Sequence, residues 1–231
     1  LGEMIANIAH QWRQPLGALS MIIQSFQIKM ELGKLTTKFV DEKVKDAMLL
    51  SENMSSTLDD FQNFFKPNID KSNFNLKKCL QHSIELSKYF LDAEKIHVKL
   101  EIKDDVEIHG FYNELSHVFL NILSNSKDAL IKKEGKKIIQ IIVKKSKDIV
   151  SINMFDNGGG VPKDVLPQIF EPYFTTKYKS EGTGIGLYMS KQIVEKHMLG
   201  TITCKNIYYK IDKENSESCT MFVIAIPHTK A

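Results

Sequence analysis

The sequence predicts an α+β protein. In this prediction an N-terminal helical hairpin, which forms a four-helix bundle in a dimer, precedes an α/β sandwich. Up to about Pro67, apolar residues recur every three or four positions, which is the spacing of one face of a helix. Beyond that point, strand-like segments are interspersed with helical ones, which favours one mixed sheet with helices on one face. We therefore expect two domains, residues 1–68 and residues 69–231.

The first region contains two apolar seams of the coiled-coil type. One seam runs from Ile5 to Met30 and the other from Val40 to Phe65, with the short turn ELGKLTTKF between them. Two helices of this length cannot bury both seams within a single hairpin, whereas two hairpins can do so as a four-helix bundle. We therefore expect a homodimer that forms through the helical hairpin.

One histidine of the first helix lies off its seam. His10 stands between Ile8 and Trp12, so its ring is predicted to face solvent or a visiting partner. An exposed helical histidine is ordinary by itself. However, Pro15 follows about one turn later, and a proline inside a helix removes a hydrogen bond and bends the helix. These residues alone leave open whether His10 is reactive.

The second region contains alternating helical and strand-like segments. Helices are predicted at about residues 76–92, 113–131 and 185–197. Strands are predicted at HVKLEI, VEIHG, KIIQIIVKK, IVSINMFDN, GTITCK and TMFVIAIP. The segment DKENSES has the composition of a surface loop.

Composition argues against several classes of protein. A formal net charge of +3 over 231 residues gives no support for a nucleic-acid partner. The three cysteines lie far apart without a CxxC pair, which fits a reducing cytoplasm. No apolar run approaches the roughly 20 residues of a membrane helix. Because the chain begins at Leu1 inside a helical pattern, we expect a cytoplasmic fragment that lacks its upstream parts.

The first polar cluster of the second region lies on a predicted helix, FLNILSNSKDAL. Asn121 and Asn125 are four residues apart, and Asp128 follows on the same face. Carboxamide oxygens at this spacing can bind magnesium, which takes hard oxygen ligands. Asparagines on a polar helix face are also common without any ligand.

The second cluster is FDNGGGVP, in which a predicted strand ends at Asp156. Gly158, Gly159 and Gly160 remove side chains where a flat ring can approach the backbone. A carboxylate at the end of a strand is a good acceptor for the exocyclic amine of adenine. A plain glycine turn fits these residues equally well.

The third cluster is EGTGIGLYMSKQIVEKH, in which Gly182, Gly184 and Gly186 lead into an amphipathic helix. Free amides at the start of a helix favour an anion. The spacing is neither GxGxxG nor GxxxxGK[ST], so no Rossmann or P-loop site is indicated. The polar segment KDVLPQIFEPYFTTKYKS between the second and third clusters has the composition of a lid.

Taken in this order, the clusters resemble the ATP-binding domain of the sensor histidine kinases, in the superfamily that includes gyrase, Hsp90 and MutL. NILSNSKDAL resembles the asparagine box, and DNGGG and GTGIGL resemble the two glycine boxes. IFEPYFTTK resembles the phenylalanine box between them, and AHQWRQPL resembles the histidine box of the dimerisation domain. The resemblance covers essentially the whole chain.

This resemblance implies ATP-dependent autophosphorylation of His10 and transfer of the phosphoryl group to an aspartate of a response regulator receiver domain. It also implies an upstream sensor region, Mg²⁺ bound by Asn125, and Gln14 as a residue that orients water for dephosphorylating the regulator. Asp156 would read adenine with Thr220 beside it, Asn121 would neighbour the phosphates, and Lys177 would contact a phosphate. The implied nucleotide-binding residues are Asn121, Asn125, Asp128, Asp156, Gly158, Gly160, Thr176, Lys177, Gly182, Thr183, Gly184, Ile185, Gly186, Leu187 and Thr220.

The chain departs from the family pattern in two places. Gln11 follows His10 where most such kinases have an acidic residue, so general-base help is not supplied there. Glu217 and Ser218 stand where relatives often have glycines. The alternatives are an ATP-hydrolysing machine of the gyrase or Hsp90 type, a serine-directed kinase, and a non-catalytic dimer scaffold. Asn121 argues against the first, because those machines place a glutamate there to activate water.

Overall fold

A computed structural model of the protein describes residues 2–65, 71–103, 106–176, 184–210 and 216–228. The chain forms two compact units, one built on the first two helices and one built on all of the strands and the remaining helices. In chain order the elements are α1 (Gly2–Glu31), α2 (Thr37–Phe65), β1 (Ser72–Asn75), α3 (Leu76–Ala93), β2 (Ile96–Ile102), β3 (Glu107–Gly110), α4 (Tyr112–Ile131), β4 (Lys137–Lys145), β5 (Ile149–Asp156), a short 3-10 helix (Leu166–Gln168), α5 (Gly186–Gln192), a π-helical turn (Ile193–His197), β6 (Thr201–Lys210) and β7 (Ser216–Pro227).

The helical unit is a hairpin of α1 and α2. The rings of Phe26 and Phe39 meet edge to face at 5.9 Å across the turn. The Thr36 hydroxyl accepts a hydrogen bond from the Phe39 amide at 3.2 Å and so caps the start of α2. Helix α1 is continuous across Pro15.

The second unit is a five-stranded mixed sheet in the order β2–β4–β5–β7–β6. Strands β2 and β4 are parallel, and the other neighbouring pairs are antiparallel. Met154, Ile152 and their register partners on the adjacent strands are buried. These side chains share one face of the sheet because side chains alternate along a strand. The α+β fold with a mixed sheet is therefore confirmed.

Helices α3 and α4 pack against each other beside this sheet. Asn75 caps α3 by accepting a hydrogen bond from the Lys78 amide at 3.1 Å. The hydroxyls of Ser83 and Ser116 lie 2.9 Å apart in the buried contact between the two helices. Small hydrogen-bonded side chains let these helices approach closely. This contact positions α4, which carries the asparagine cluster.

The structure corrects four details of the predicted elements. β1 was not predicted, and it pairs with β3 in a separate two-stranded ribbon. The predicted helix 185–197 is α5 followed by a π-helical turn. β6 extends to Lys210, beyond the predicted GTITCK. DKENSES is not a loop throughout, because β7 begins at Ser216. The longer β6–β7 hairpin has a packing reason, since the Tyr209 ring lies 4.5 Å from that of Phe155.

Candidate nucleotide-binding site

Asp156 lies at the last position of β5, beside α4. Its register partners on the neighbouring strands are Ile139 and Thr220. One carboxylate oxygen, Oδ2, accepts a hydrogen bond from the Ser126 hydroxyl of α4 at 2.9 Å. The other, Oδ1, accepts from the Gly158 amide at 2.9 Å. Two hydrogen bonds from different elements therefore hold the carboxylate in one orientation.

Burial changes the protonation of this carboxyl group. Asp156 is 2% exposed, and its desolvation raises the pKa from its ordinary value near 3.8 to about 6. The hydrogen bonds from Gly158 and Ser126 act in the opposite direction, since they stabilise the ionised form. At pH 7.5 the group is therefore an ionised acceptor that lacks most of its water. Such an acceptor is well suited to an N–H donor of a bound ring.

Gly158 lies close against α4. A Cβ atom at this position would lie 2.8 Å from the Cβ of Ala129 and 2.8 Å from Oδ1 of Asp156. Any side chain would therefore displace either the helix or the carboxylate. Thr220 is the register partner of Asp156 on β7 and is 5% exposed.

Asn121 and Asn125 have different surroundings on α4. Asn121 Nδ2 donates to the Gly186 carbonyl at 2.8 Å and to the Ser190 hydroxyl at 3.3 Å, so it joins α4 to α5. The half-buried Asn125 carboxamide has no hydrogen-bond partner among the described residues. Its oxygen is therefore a candidate ligand atom. The third residue of this cluster, Asp128, lies 3.2 Å from the Lys127 ammonium.

Gly184, just before α5, and Gly186, its first residue, are required by the protein's own packing. Gly184 has φ +66°, and a Cβ there would lie 2.5 Å from the backbone of Tyr173. The Tyr173 amide donates to the Gly184 carbonyl at 2.8 Å, which brings the two ends of the intervening segment together. A Cβ at Gly186 would lie 2.6 Å from Asn121 Oδ1. Close contacts within the protein therefore require glycine at these two positions, whether or not an anion binds there.

The remaining predicted residues are placed as follows. Gly160 has φ +88° and lies beside Asn206 and Ser218, whereas Thr176 is exposed. Ile185 and Leu187 are half-buried at the start of α5. Lys177, Gly182 and Thr183 lie outside the described residues. His10 and Gln14 lie on α1, and their side chains are also outside the described part.

Sequence reasoning missed two residues that shape this site. Ser126, which holds the Asp156 carboxylate, follows Asn125 directly in the asparagine cluster. Ser190, which contacts Asn121, is four residues beyond Gly186 on α5. Their proximity to motif residues was the available signal. Their partners are 30 and 69 residues away in the chain, so the contacts themselves were not predictable from local pattern.

Within the described residues, no helix is long and apolar enough to cross a membrane.

Comparison with known proteins identifies the family. Residues 110–230 match the family of histidine kinase-, DNA gyrase B- and HSP90-like ATPases. The two-component sensor PprA of Pseudomonas aeruginosa is 29% identical over 214 residues, which are 89% of this chain and 23% of PprA. The sensor histidine kinase ZraS of Escherichia coli is 30% identical over 199 residues, which are 85% of this chain and 41% of ZraS. The chain therefore spans less than half of either relative.

A solved structure supports the fold independently. Histidine kinase ThkA, in complex with response regulator protein TrrA, matches with a TM-score of 0.69 at 20% identity. The match covers 99% of this chain and 62% of the ThkA chain. Together with the family match and these relatives, the resemblance to the sensor histidine kinases is confirmed. Because the family match covers just over half of the chain, the protein belongs to the histidine kinase-, DNA gyrase B- and HSP90-like ATPases.

Proposed function

We propose that this chain is the kinase core of a sensor histidine kinase, which transfers the γ-phosphoryl group of ATP to its own His10. The observation that carries the proposal is the buried Asp156 carboxylate, held by Ser126 and Gly158 beside α4. The similarity of the chain to the two-component sensor PprA and to the sensor histidine kinase ZraS supports it. The phosphoryl group then passes to an aspartate of a response regulator receiver domain, and the ThkA–TrrA complex supports that partner. The reaction belongs to the cytoplasm.

Asp156 accepts a hydrogen bond from the adenine 6-amino group, and Thr220 lies beside it. Asn125 would hold Mg²⁺ through its carboxamide oxygen, and the ion, when bound, would offset charge on the phosphates. Asn121 lies on the phosphate side, and its bonds to α5 fix the spacing between α4 and the glycine segment. Residues 184–187, at the start of α5, are proposed to contact the phosphates, and the same role is proposed for Thr176, Lys177, Gly182 and Thr183.

Phosphoryl transfer is favoured over ATP hydrolysis at this site. A hydrolytic machine needs a base to activate water, and the Asn121 carboxamide cannot accept a proton. Its nitrogen already donates to Gly186 and Ser190. A neutral histidine, with a reference pKa of about 6.5, supplies a free ring nitrogen at pH 7. Incubation with γ-labelled ATP and Mg²⁺ tests the proposal, because phosphohistidine is labile in acid and stable in alkali. Stoichiometric free phosphate without labelled protein would instead support the hydrolytic alternative.

We also propose that residues 1–68 form a dimeric four-helix bundle and that residues 69–231 form the ATP-binding domain. In the single chain the seam residues Leu16, Ile23 and Met30 are 49%, 67% and 65% exposed. Exposed apolar side chains at seam spacing on one helix are what a second hairpin would cover.

Ile23→Lys is expected to convert a dimer into a monomer. Burying an isoleucine is worth about 1.5–3 kcal/mol, and a two-fold interface loses it twice, so the dimer Kd should rise at least about hundredfold. Sedimentation equilibrium measures this. Gln24→Lys, with the same charge on the exposed neighbouring residue, should remain dimeric. A monomeric wild-type chain would contradict the bundle.

Gln14 is proposed to act in the reverse direction, on the phosphorylated regulator. It follows His10 by four residues, a spacing at which two positions of a helix are neighbours. A carboxamide can accept a hydrogen bond from water and donate another to a phosphoryl oxygen. Gln14→Ala should leave labelling of the chain near normal and slow phosphate loss from the cognate regulator about tenfold. The control is Gln11→Glu, which places a base beside the histidine and should speed the first transfer instead. Crippled autophosphorylation in Gln14→Ala would overturn the assignment.

A further inference from the structure

The loop after Asp156 has few side chains that could hold it in place by packing. It contains three successive glycines, and Gly159 and Gly160 have φ +102° and +88°. A Cβ at Gly159 would meet nothing within 4 Å. A cavity of about 360 Å³ lies along this loop, with Gly158, Gly159 and Ser218 in its lining. Glycines lose the most conformational freedom on folding, so hydrogen bonds must hold the loop where packing does not.

The first residue of this loop, Asn157, holds the start of the loop through its buried side chain. Asn157 is 2% exposed, and its Oδ1 accepts a hydrogen bond from the Ile138 amide at 2.8 Å. Its Nδ2 donates to the Lys136 carbonyl and to Glu217 Oε2, both at 2.8 Å. The same Glu217 oxygen pairs with Lys133 at 2.9 Å. Glu217 thus ties the base of the loop to β7 and to the residues that follow α4.

Two further side chains hold the rest of the loop. The Ser218 hydroxyl donates to the Gly159 carbonyl at 3.1 Å. Asn206 forms two bonds with Val161: its Oδ1 accepts from the amide at 2.8 Å, and its Nδ2 donates to the carbonyl at 2.7 Å. Asn206 is the register partner of Thr220, which is in turn the partner of Asp156. The β6–β7 hairpin therefore contacts the loop on both sides of its glycines.

We infer that Asn206, Glu217 and Ser218, here called the loop clasp, are positioning residues that make the site selective for a purine with a 6-amino group. The inference rests on the proposed ATP-binding function. The clasp touches no nucleotide in this scheme. It fixes the loop that presents the Gly158 amide to Asp156 Oδ1, and this amide sets the direction of the acceptor. A loose loop lets the carboxylate turn, so the hydrogen bond to the 6-amino group is the interaction that is lost.

The test compares two nucleotides on the full chain at pH 7.5. Calorimetry measures the Kd of ATP and of purine riboside 5′-triphosphate, which lacks only the 6-amino group. Wild type should prefer ATP by about ten- to a hundredfold, because the analogue cannot donate a hydrogen bond to the buried Asp156 carboxylate. Ser218→Ala and Asn206→Ala should each reduce this preference about three- to tenfold, mainly by weakening ATP.

The matched controls are Ser216→Ala and Thr203→Ala, on the same strands as Ser218 and Asn206 and exposed. Both should keep the wild-type preference. Ser218→Thr retains the hydroxyl and should show the wild-type preference for ATP. A merely structural role would weaken both nucleotides equally, because a smaller folded fraction binds less of either. Equal weakening, or an unchanged preference in Ser218→Ala and Asn206→Ala, overturns the inference while leaving the ATP site intact. A wild type that binds neither nucleotide, or binds both equally, overturns the adenine assignment and the inference together.

Discussion

His10→Ala is expected to abolish phosphate incorporation from ATP while ATP affinity stays at the wild-type value. The variant removes the attacking ring nitrogen, and neighbouring polar side chains of α1 such as Gln11 and Gln14 are not nucleophiles at neutral pH. Labelling should therefore fall below about 1% of wild type. The proposed nucleotide contacts Asn125 and Asp156 lie in the other unit of the structure, so binding should not change.

Acid-quenched and alkali-quenched filter assays, run beside calorimetry, measure the two quantities separately. His97→Ala is the matched control, since His97 is an exposed histidine of β2. It should label normally. Full labelling of His10→Ala, or label that survives acid, would place the phosphate on another residue. The serine-directed alternative predicts the second outcome.

Asp156→Asn is expected to weaken ATP binding and to stabilise the folded protein without nucleotide. Loss of the charged acceptor should cost about 1–3 kcal/mol of binding, or about ten- to a hundredfold in Kd. The stability effect has the opposite sign, because burial disfavours the ionised carboxylate that the fold must hold at pH 7.5. The rise of the Asp156 pKa from 3.8 to about 6 corresponds to about 3 kcal/mol.

The pH dependence follows from the same group. A raised pKa in the folded state means that the stabilising contribution is fully present below about pH 3.8 and is lost as the pH rises through about 6. The difference in unfolding free energy between Asp156→Asn and wild type should therefore grow from pH 4 to pH 7 and then level off. The affinity of the wild type for ATP should decrease as the pH is lowered below about 6, because the Asp156 acceptor becomes protonated.

Urea unfolding of the nucleotide-free chain at pH 4–8 measures the stability difference. Asp148→Asn removes the same charge from an exposed position between β4 and β5 and should show neither effect. A constant difference across this pH range would mean that Asp156 titrates normally. Wild-type ATP affinity in Asp156→Asn would remove Asp156 from the nucleotide site.

Local pattern was sufficient for the elements with strong periodicity. α3, α4 and β4 were predicted to within a residue or two, because each buries one regular set of apolar side chains. The order of the motifs was also sufficient for the family, and residues 110–230 match it. Each of those motifs is a short, uninterrupted run of residues, so it can be recognised in the sequence without knowledge of the fold.

Elements with weak local signals needed their partners. β1 has four residues, SNFN, and exists because β3 pairs with it about 35 residues later. The β6–β7 hairpin continues through polar residues because Tyr209 finds Phe155 on β5. Neither partner is visible in the segment itself, so composition predicted a loop at DKENSES.

The sequence by itself determined the family, the α+β class and the residue types available for nucleotide chemistry. Only the tertiary structure decided how those residues are held. In the fold, Ser126 and Gly158 donate hydrogen bonds to the two oxygens of Asp156. The Asn121 nitrogen donates to α5, whereas the Asn125 oxygen has no partner among the described residues. The physical reason is that desolvation and hydrogen-bond direction depend on atoms that are distant in the chain and adjacent only after folding.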